Sequence, residues 1–267
     1  MRKLNDSFDP LYKIYHENSK LHKDFYQKVP GLPDYTKEIK KKYYNRIEVK
    51  LPKNISLDIN NTNLFTCIKD RKSIRNFDDN RTVTLDQLSI FLQYSYGITH
   101  READRSFRAT PSAGAKYPNE LYVLVNNVKD IEKGIYHYSP YAHSLSLIKN
   151  GSYIQKFIDE FHHDQYLKEI VGSSKFTLII TGIFDRTTHK YMERGYRFCL
   201  FEAGHIAQNS MLIANAMSMG SCGLGGFFDD NINSILEING VDENALYLIS
   251  FGYENKIVEY DYNEFFE

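Results

Sequence analysis

Apolar positions recur with a clear period from about residue 61 onward and have none before it. Thr84-Leu85-Asp86-Gln87 has capping-box form and predicts a helix that carries Leu88, Phe91, Leu92 and Tyr94 and stops at Gly97. A short helix is expected over Asn63 to Lys69. Leu121 to Val125 reads as a strand, and Gly134 to Tyr138 with Ser144 to Ile148 reads as a hairpin around a loop containing Pro140. Phe176 to Phe184 is a nearly continuous apolar run, the signature of a central strand covered on both faces. Ser152 to Phe161 and Asn231 to Ile238 are expected as helices, and Ala245 to Gly252 as a second buried strand. The longest feature is the helical run from about Met192 to Gly220, apolar around most of its circumference, followed by the cluster Gly223-Leu224-Gly225-Gly226-Phe227. Such a helix belongs in a core or a subunit interface. Helices alternating with strands give an α+β or α/β body with a central sheet.

Residues 1–60 differ, with a Lys-rich stretch over 37–42 and breaks at Pro30, Pro33 and Pro52. They are expected as an arm with one or two short helices, laid over the body or a partner subunit or else solvated, ahead of one domain at 61–267. Composition changes this picture little. The 267 residues, 42% hydrophobic, support a sizeable core, and 33 basic against 34 acidic side chains advertise no nucleic-acid or anionic-membrane partner. Cys67, Cys199 and Cys222 form no C-x-x-C pair, and no run reaches the ~18 apolar residues of a membrane span, so the expected location is the cytoplasm.

Four stretches could carry chemistry. Arg71, Ser73 and Arg75 alternate and would converge on one side of extended backbone, where guanidinium forks match phosphate oxygens, although short basic runs more often face water. Pro111-Ser112-Ala113-Gly114 could set amides and a hydroxyl against a planar ring, or be a plain turn. The Gly225-Gly226 amides could meet a cofactor ring, or simply follow a helix stop at Gly220. Lys190 and Tyr191, with Glu193, Arg194 and Arg197 close behind, could serve as a base in a desolvated pocket, a role that most Lys-Tyr pairs do not have. No metal site is expected. Glu202-x-x-His205 has no second copy, His162-His163 lacks partners at zinc spacing, and His205 is assigned to the core or an interface.

The order R-x-S-x-R-x-F, P-S-A-G, K-Y-x-x-R-x-Y-R, E-A-G-H-x-A-Q-N, G-L-G-G-F and F-G-Y resembles the nitroreductase-like flavoprotein superfamily over residues 63–253. Within it these motifs resemble the SagB-type, azoline-oxidising dehydrogenases, whose N-terminus the Tyr15-His16-Glu17-Asn18-Ser19-Lys20 segment also resembles. The resemblance implies an α+β fold with a mostly antiparallel central sheet flanked by helices, and a homodimer with the long helix in its interface. It further implies FMN as cofactor and conversion of peptide thiazolines or oxazolines to azoles, with O2 as reoxidant and a peptide substrate delivered alone or with a cyclodehydratase partner. On this likeness Arg71, Ser73 and Arg75 hold the phosphate and ribityl chain. Pro111, Ser112 and Gly114 of the partner subunit line the isoalloxazine, the amides near Gly225 and Gly226 face its reactive edge, and Lys190 and Tyr191 take the proton or orient the ring. Two positions depart from it: Lys116 replaces a hydrophobic side chain, and Glu254-Asn255-Lys256 stands where basic phosphate contacts are expected. Two other functions remain open at this stage, an NAD(P)H-dependent nitro or quinone reductase and a flavin-free scaffold subunit.

Overall fold

The alternation along each central strand fixes a helix–sheet–helix sandwich. In the strand Asn119–Val125 of the computed structural model, Leu121, Val123 and Val125 enter one core, while Tyr122 and Leu124 enter another on the opposite face. The structure describes residues 10–20, 40–53, 63–103, 105–159 and 165–256. Pro30, Pro33, His162, His163 and the expected end of the helix at Phe161 lie outside these, as do residues 37–39 of the Lys-rich stretch.

The helices among the described residues are α1 (Leu11–Asn18), α2 (Leu64–Asp70), α3 (Leu85–Tyr96), α4 (Ile154–Asp159), α5 (Gln165–Ser173), α6 (Asp185–Tyr191), α7 (Arg194–Ala216) and α8 (Asp229–Ile235). The strands are β1 (Glu48–Lys50), β2 (Val83–Thr84), β3 (Ile98–Glu102), β4 (Arg105–Arg108), β5 (Asn119–Val125), β6 (Val128–Lys129), β7 (Gly134–Ser139), β8 (Ser144–Asn150), β9 (Phe176–Ile183), β10 (Gly220–Leu224) and β11 (Glu243–Gly252). Seven strands form one sheet in the order β1-β8-β7-β5-β9-β11-β10, with every pairing antiparallel. The expected α+β class with a mostly antiparallel sheet is therefore the observed one.

Helices α3 and α7 cover one face, with Leu88, Phe91 and Leu92 meeting Ala203, Ile206 and Ala207 over β5, β9 and β11. Phe91 stacks edge-on against Phe176 and Phe251 at 5.0 and 4.7 Å, and each of these fully buried rings contributes about 1.5–3 kcal/mol by leaving water. Helices α4, α5 and α8 cover the other face through Phe157, Ile170, Val171, Ile232 and Ile235. The capping box forms with both of its hydrogen bonds, and Gly97 ends α3. Asn63 caps α2 by accepting from the Thr66 amide at 3.0 Å.

Two readings of the long run need correction. The helix is shorter than Met192 to Gly220: Met192 takes a left-handed conformation (φ 52) that separates α6 from α7, and Ser218 (φ 58) follows the end of α7. The glycine cluster is not a loop along its whole length, because Gly223 and Leu224 complete β10. Glycine is a poor strand former, so the pattern hid this strand. A Cβ on Gly220 would run into Ile74 and one on Gly223 into the Tyr247 hydroxyl, so close packing is what these positions require. Residues 48–50, numbered within the arm, pair with β8 as the sheet's edge strand.

Candidate active site

The local chain geometry assembles two groups of the expected site residues. The first joins the Pro111–Gly114 turn to the end of α6. Ser112 accepts a hydrogen bond from the Tyr117 amide at 2.8 Å, and Gly114 sits at φ 60 inside a short 3-10 turn. A Cβ there would lie 2.6 Å from the Tyr191 hydroxyl and 3.4 Å from Lys190 Nζ, so the lack of a side chain is what lets the pair close over the turn. Lys190 is exposed and Tyr191 half-buried, with the Tyr191 ring edge-on to Phe198 at 5.0 Å. The structure leaves Lys190 in solvent and does not form the desolvated pocket expected around this pair.

The second group is the Arg71–Arg75 strip. The Ile74 amide donates to the Ser221 carbonyl at 2.9 Å, and Ser73 forms a parallel bridge with Ser221, so the strip runs beside β10. Arg75 lies near Cys222 and stacks at 5.9 Å over Tyr166, while Arg71 lies near Tyr247. Glu254, at a departure from the expected pattern, pairs with Lys72 at 2.7 Å and ties the chain after Tyr253 back to this strip. Gly225 and Gly226 follow β10, exposed, and a Cβ on Gly225 would meet nothing within 4 Å. Two guanidinium groups and a hydroxyl beside open backbone suit a phosphate-bearing planar ligand.

These two groups lie at different levels of α7. Gly114 meets Lys190 and Tyr191 before the helix starts at Arg194, whereas Gly223 faces Met211, 17 residues further on, about 25 Å along the axis. One outer face of the molecule is apolar: Leu64 (61% exposed), Phe65 (82%) and Ile68 (54%) of α2 with Phe201 (56%) of α7. His205 is exposed and Glu202 buried, so they share no site, and the core placement for His205 is withdrawn.

Sequence reasoning missed the polar cluster beneath the turn. Arg186 of α6 donates to the Tyr117 carbonyl at 2.9 Å and pairs with buried Glu120 at 2.6 Å, locking α6 against the segment that leads into β5. Glu120 also meets His137 at 2.7 Å. Burial alone would raise its pKa, but the His137 hydrogen bond and the Arg186 charge outweigh burial and hold Glu120 at about 2. Glu202 of α7 is buried, with Tyr96 Oη 2.7 Å from its Oε1 and its Oε2 without a hydrogen-bond partner among the described residues. Burial pushes it up to about 7 against the opposing effect of Ser112, Tyr96, Arg108 and Arg186. The available signal was an acidic residue within an apolar helical run.

Helix α1 docks on this corner. Tyr15 donates to the Glu193 carbonyl at 3.2 Å and packs edge-on against Tyr196 at 5.2 Å, and Arg197 donates to Ser19 Oγ at 2.9 Å. Among the described residues, no helix is long and apolar enough to cross a membrane.

Residues 68–253 match the nitroreductase family, and the chain belongs to it. It is 35% identical over 196 residues to the nitroreductase-family protein MJ1384 of Methanocaldococcus jannaschii, covering 72% of this chain and 90% of that one. It is 28% identical over 176 residues to the trifolitoxin-processing protein TfxB of Rhizobium leguminosarum bv. trifolii (61% and 46% covered), and 28% over 136 residues to the microcin B17-processing protein McbC of Escherichia coli (49% and 49%). The chain thus spans about half the length of both peptide-processing relatives. In fold it resembles a nitroreductase-family structure from Anabaena variabilis (TM-score 0.73, 23% identity, 95% of this chain and 49% of that one). It also resembles a chain of the E. coli microcin synthetase McbBCD complex with truncated pro-MccB17 bound (TM-score 0.62, 23% identity, 92% of each).

Proposed function

We propose that the protein is an FMN-dependent dehydrogenase that oxidises thiazoline or oxazoline rings of a ribosomal peptide to azoles, in the cytoplasm. The observation that carries this reading is the seat that Gly114 makes for Lys190 and Tyr191. It places an amine and a phenol beside a turn suited to a flat ring, as proton removal next to a carbonyl requires. The sequence likeness to TfxB and McbC supports a peptide substrate, and the fold likeness to a chain of McbBCD supports delivery with a cyclodehydratase partner.

Arg71, Ser73 and Arg75 hold the phosphate and ribityl chain, and the Gly225 and Gly226 amides face the ring edge. Flavin, when bound, supplies the two-electron acceptor, with O2 as the final oxidant. Lys190 and Tyr191 take the acidic proton from the azoline or orient its ring. The protein works as a homodimer. Two α7 helices packed antiparallel through the face of Leu64, Phe65, Ile68 and Phe201 would bring the Pro111–Gly114 turn of one protomer to the Arg71–Arg75 strip of its partner, which the separation along α7 prevents within one chain.

A second reading, an NAD(P)H-dependent nitro or quinone reductase, is favoured by the higher identity to MJ1384. Azole formation by the wild type in the absence of NAD(P)H distinguishes the two, and Lys190→Ala tests the role of that residue. The variant is expected to bind FMN and stay yellow while losing azole formation; an unchanged azole yield overturns the role of Lys190. Purified protein that takes up no added FMN overturns both enzymatic readings.

A further inference from the structure

The cluster beneath the Pro111–Gly114 turn has one phenolic hydrogen for two acceptors. Tyr96 Oη lies 2.7 Å from Glu202 Oε1 and 3.0 Å from the Asn119 carbonyl, both buried. Both contacts are hydrogen bonds at once when Glu202 carries a proton: its O–H donates to Tyr96 Oη, and Tyr96 donates to Asn119. Ionised Glu202 takes the Tyr96 hydrogen for itself and deprives the Asn119 carbonyl of this donor. Ser112 Oγ, already accepting from the Tyr117 amide, lies close enough to act on the same carboxyl, whose Oε2 makes no hydrogen bond among the described residues.

We propose that Glu202 is a positioning residue: as the neutral acid it ties down, through Tyr96, the Asn119 end of the turn that seats Lys190 and Tyr191, and its ionisation releases that end. The turn runs from Pro111 into Asn119, the first residue of β5, so the Tyr96 bond acts where the turn passes into the sheet. The groups facing the carboxyl come from every element around it: Tyr96 from α3, Arg108 from β4, Ser112 from the turn, Arg186 from α6, and Cys199 from α7 itself, with Glu120 of β5 acting on Tyr96. Burial outweighs the stabilising groups, so Glu202 exchanges its proton at about 7, inside the physiological range. The relevance of this tether to catalysis rests on the proposed function; the tether itself does not.

Hydrogen exchange of the cofactor-free protein tests the tether without turnover. Exchange of backbone amides over residues 109–120, corrected for the intrinsic effect of pH, is expected to be about tenfold faster at pH 8.5 than at pH 6 in the wild type, the span of a group titrating between them. Glu202→Gln keeps a donor to Tyr96 Oη and is expected to exchange slowly at both pH values, and Tyr96→Phe, which lacks the link to Asn119, to exchange fast at both. A wild type with no pH dependence, a Glu202→Gln protein with the wild-type dependence, or a Tyr96→Phe protein that behaves as wild type overturns the proposal. In the FMN-loaded enzyme, azoline oxidation should lose rate as pH rises through neutrality in the wild type and not in Glu202→Gln. Failure to bind FMN would sink the functional reading while leaving the exchange result to decide the tether.

Discussion

Gly114→Ala separates folding from chemistry at the point where the turn meets Lys190 and Tyr191. Gly114 has φ 60, and a left-handed conformation costs an L-residue about 1–2 kcal/mol. The added Cβ would lie 2.6 Å from the Tyr191 hydroxyl and 3.4 Å from Lys190 Nζ, against an ordinary carbon contact of about 3.5–4.0 Å. The phenol must therefore retreat by about 1 Å. Both obstructing atoms are tips of side chains, so the strain stays local and the fold bears only the backbone cost. A shift of that size in a reacting group lowers rates by as much as about 100-fold. The variant is expected to lose about 1–2 kcal/mol in urea denaturation, to bind FMN, and to oxidise an azoline peptide about 100-fold more slowly at saturating FMN. A wild-type rate, or a loss no larger than the loss of folded protein, would refute the geometry of this corner.

Phe201→Asp, which places a charge on the exposed apolar face, is expected to give a monomer in sedimentation analysis and to weaken FMN binding at least tenfold; a stable dimer with normal FMN affinity rules out this face as the interface. Gly220→Ala forces a methyl into Ile74 and displaces the Arg71–Arg75 strip, so FMN affinity should fall while azoline chemistry at saturating FMN persists. Glu202 has its proton affinity raised in the folded state, from the usual 4.5 to about 7. Its contribution is therefore fully present below about pH 4.5 and lost as pH rises to about 7, a change on the order of 3 kcal/mol. Denaturation should find Glu202→Gln more stable relative to wild type at pH 8 than at pH 5; no change in that difference contradicts the buried acid. Glu120 has the opposite sign: held at about 2, it stabilises above about pH 4.5, and this is lost as pH falls towards 2. Glu120→Gln should therefore shift acid unfolding to higher pH, as followed by circular dichroism.

The elements legible in the sequence were those whose local pattern and tertiary role agree. Phe176 to Phe184 reads as a doubly covered strand because β9 lies inside the sheet with apolar contacts on both faces. The Thr84–Gln87 capping box is a purely local device. Strand β10 was hidden because glycines read as a loop, and only the packing of Ile74 and Tyr247 explains them. The break at Met192 was hidden for a related reason, since a methionine at positive φ has no sequence signature. The nearness of Gly114 to Lys190 and Tyr191 depends on β5 and β9 being neighbours, a contact between residues far apart in the chain that no periodicity encodes. Glu202 was weighed only as a metal ligand, and its bond to Tyr96 escaped notice, as did the pairing of Arg186 with Glu120, because a charged residue declares the cost of its burial but not its partners.

Azoline oxidation is tested by following the mass of a defined thiazoline peptide incubated with the FMN-loaded protein and O2, with and without NADPH and a nitroaromatic. Each ring is expected to lose two hydrogens without added NADPH, and none of that loss is expected in Lys190→Ala. An unchanged peptide mass alongside rapid NADPH consumption with the nitroaromatic would contradict azoline oxidation.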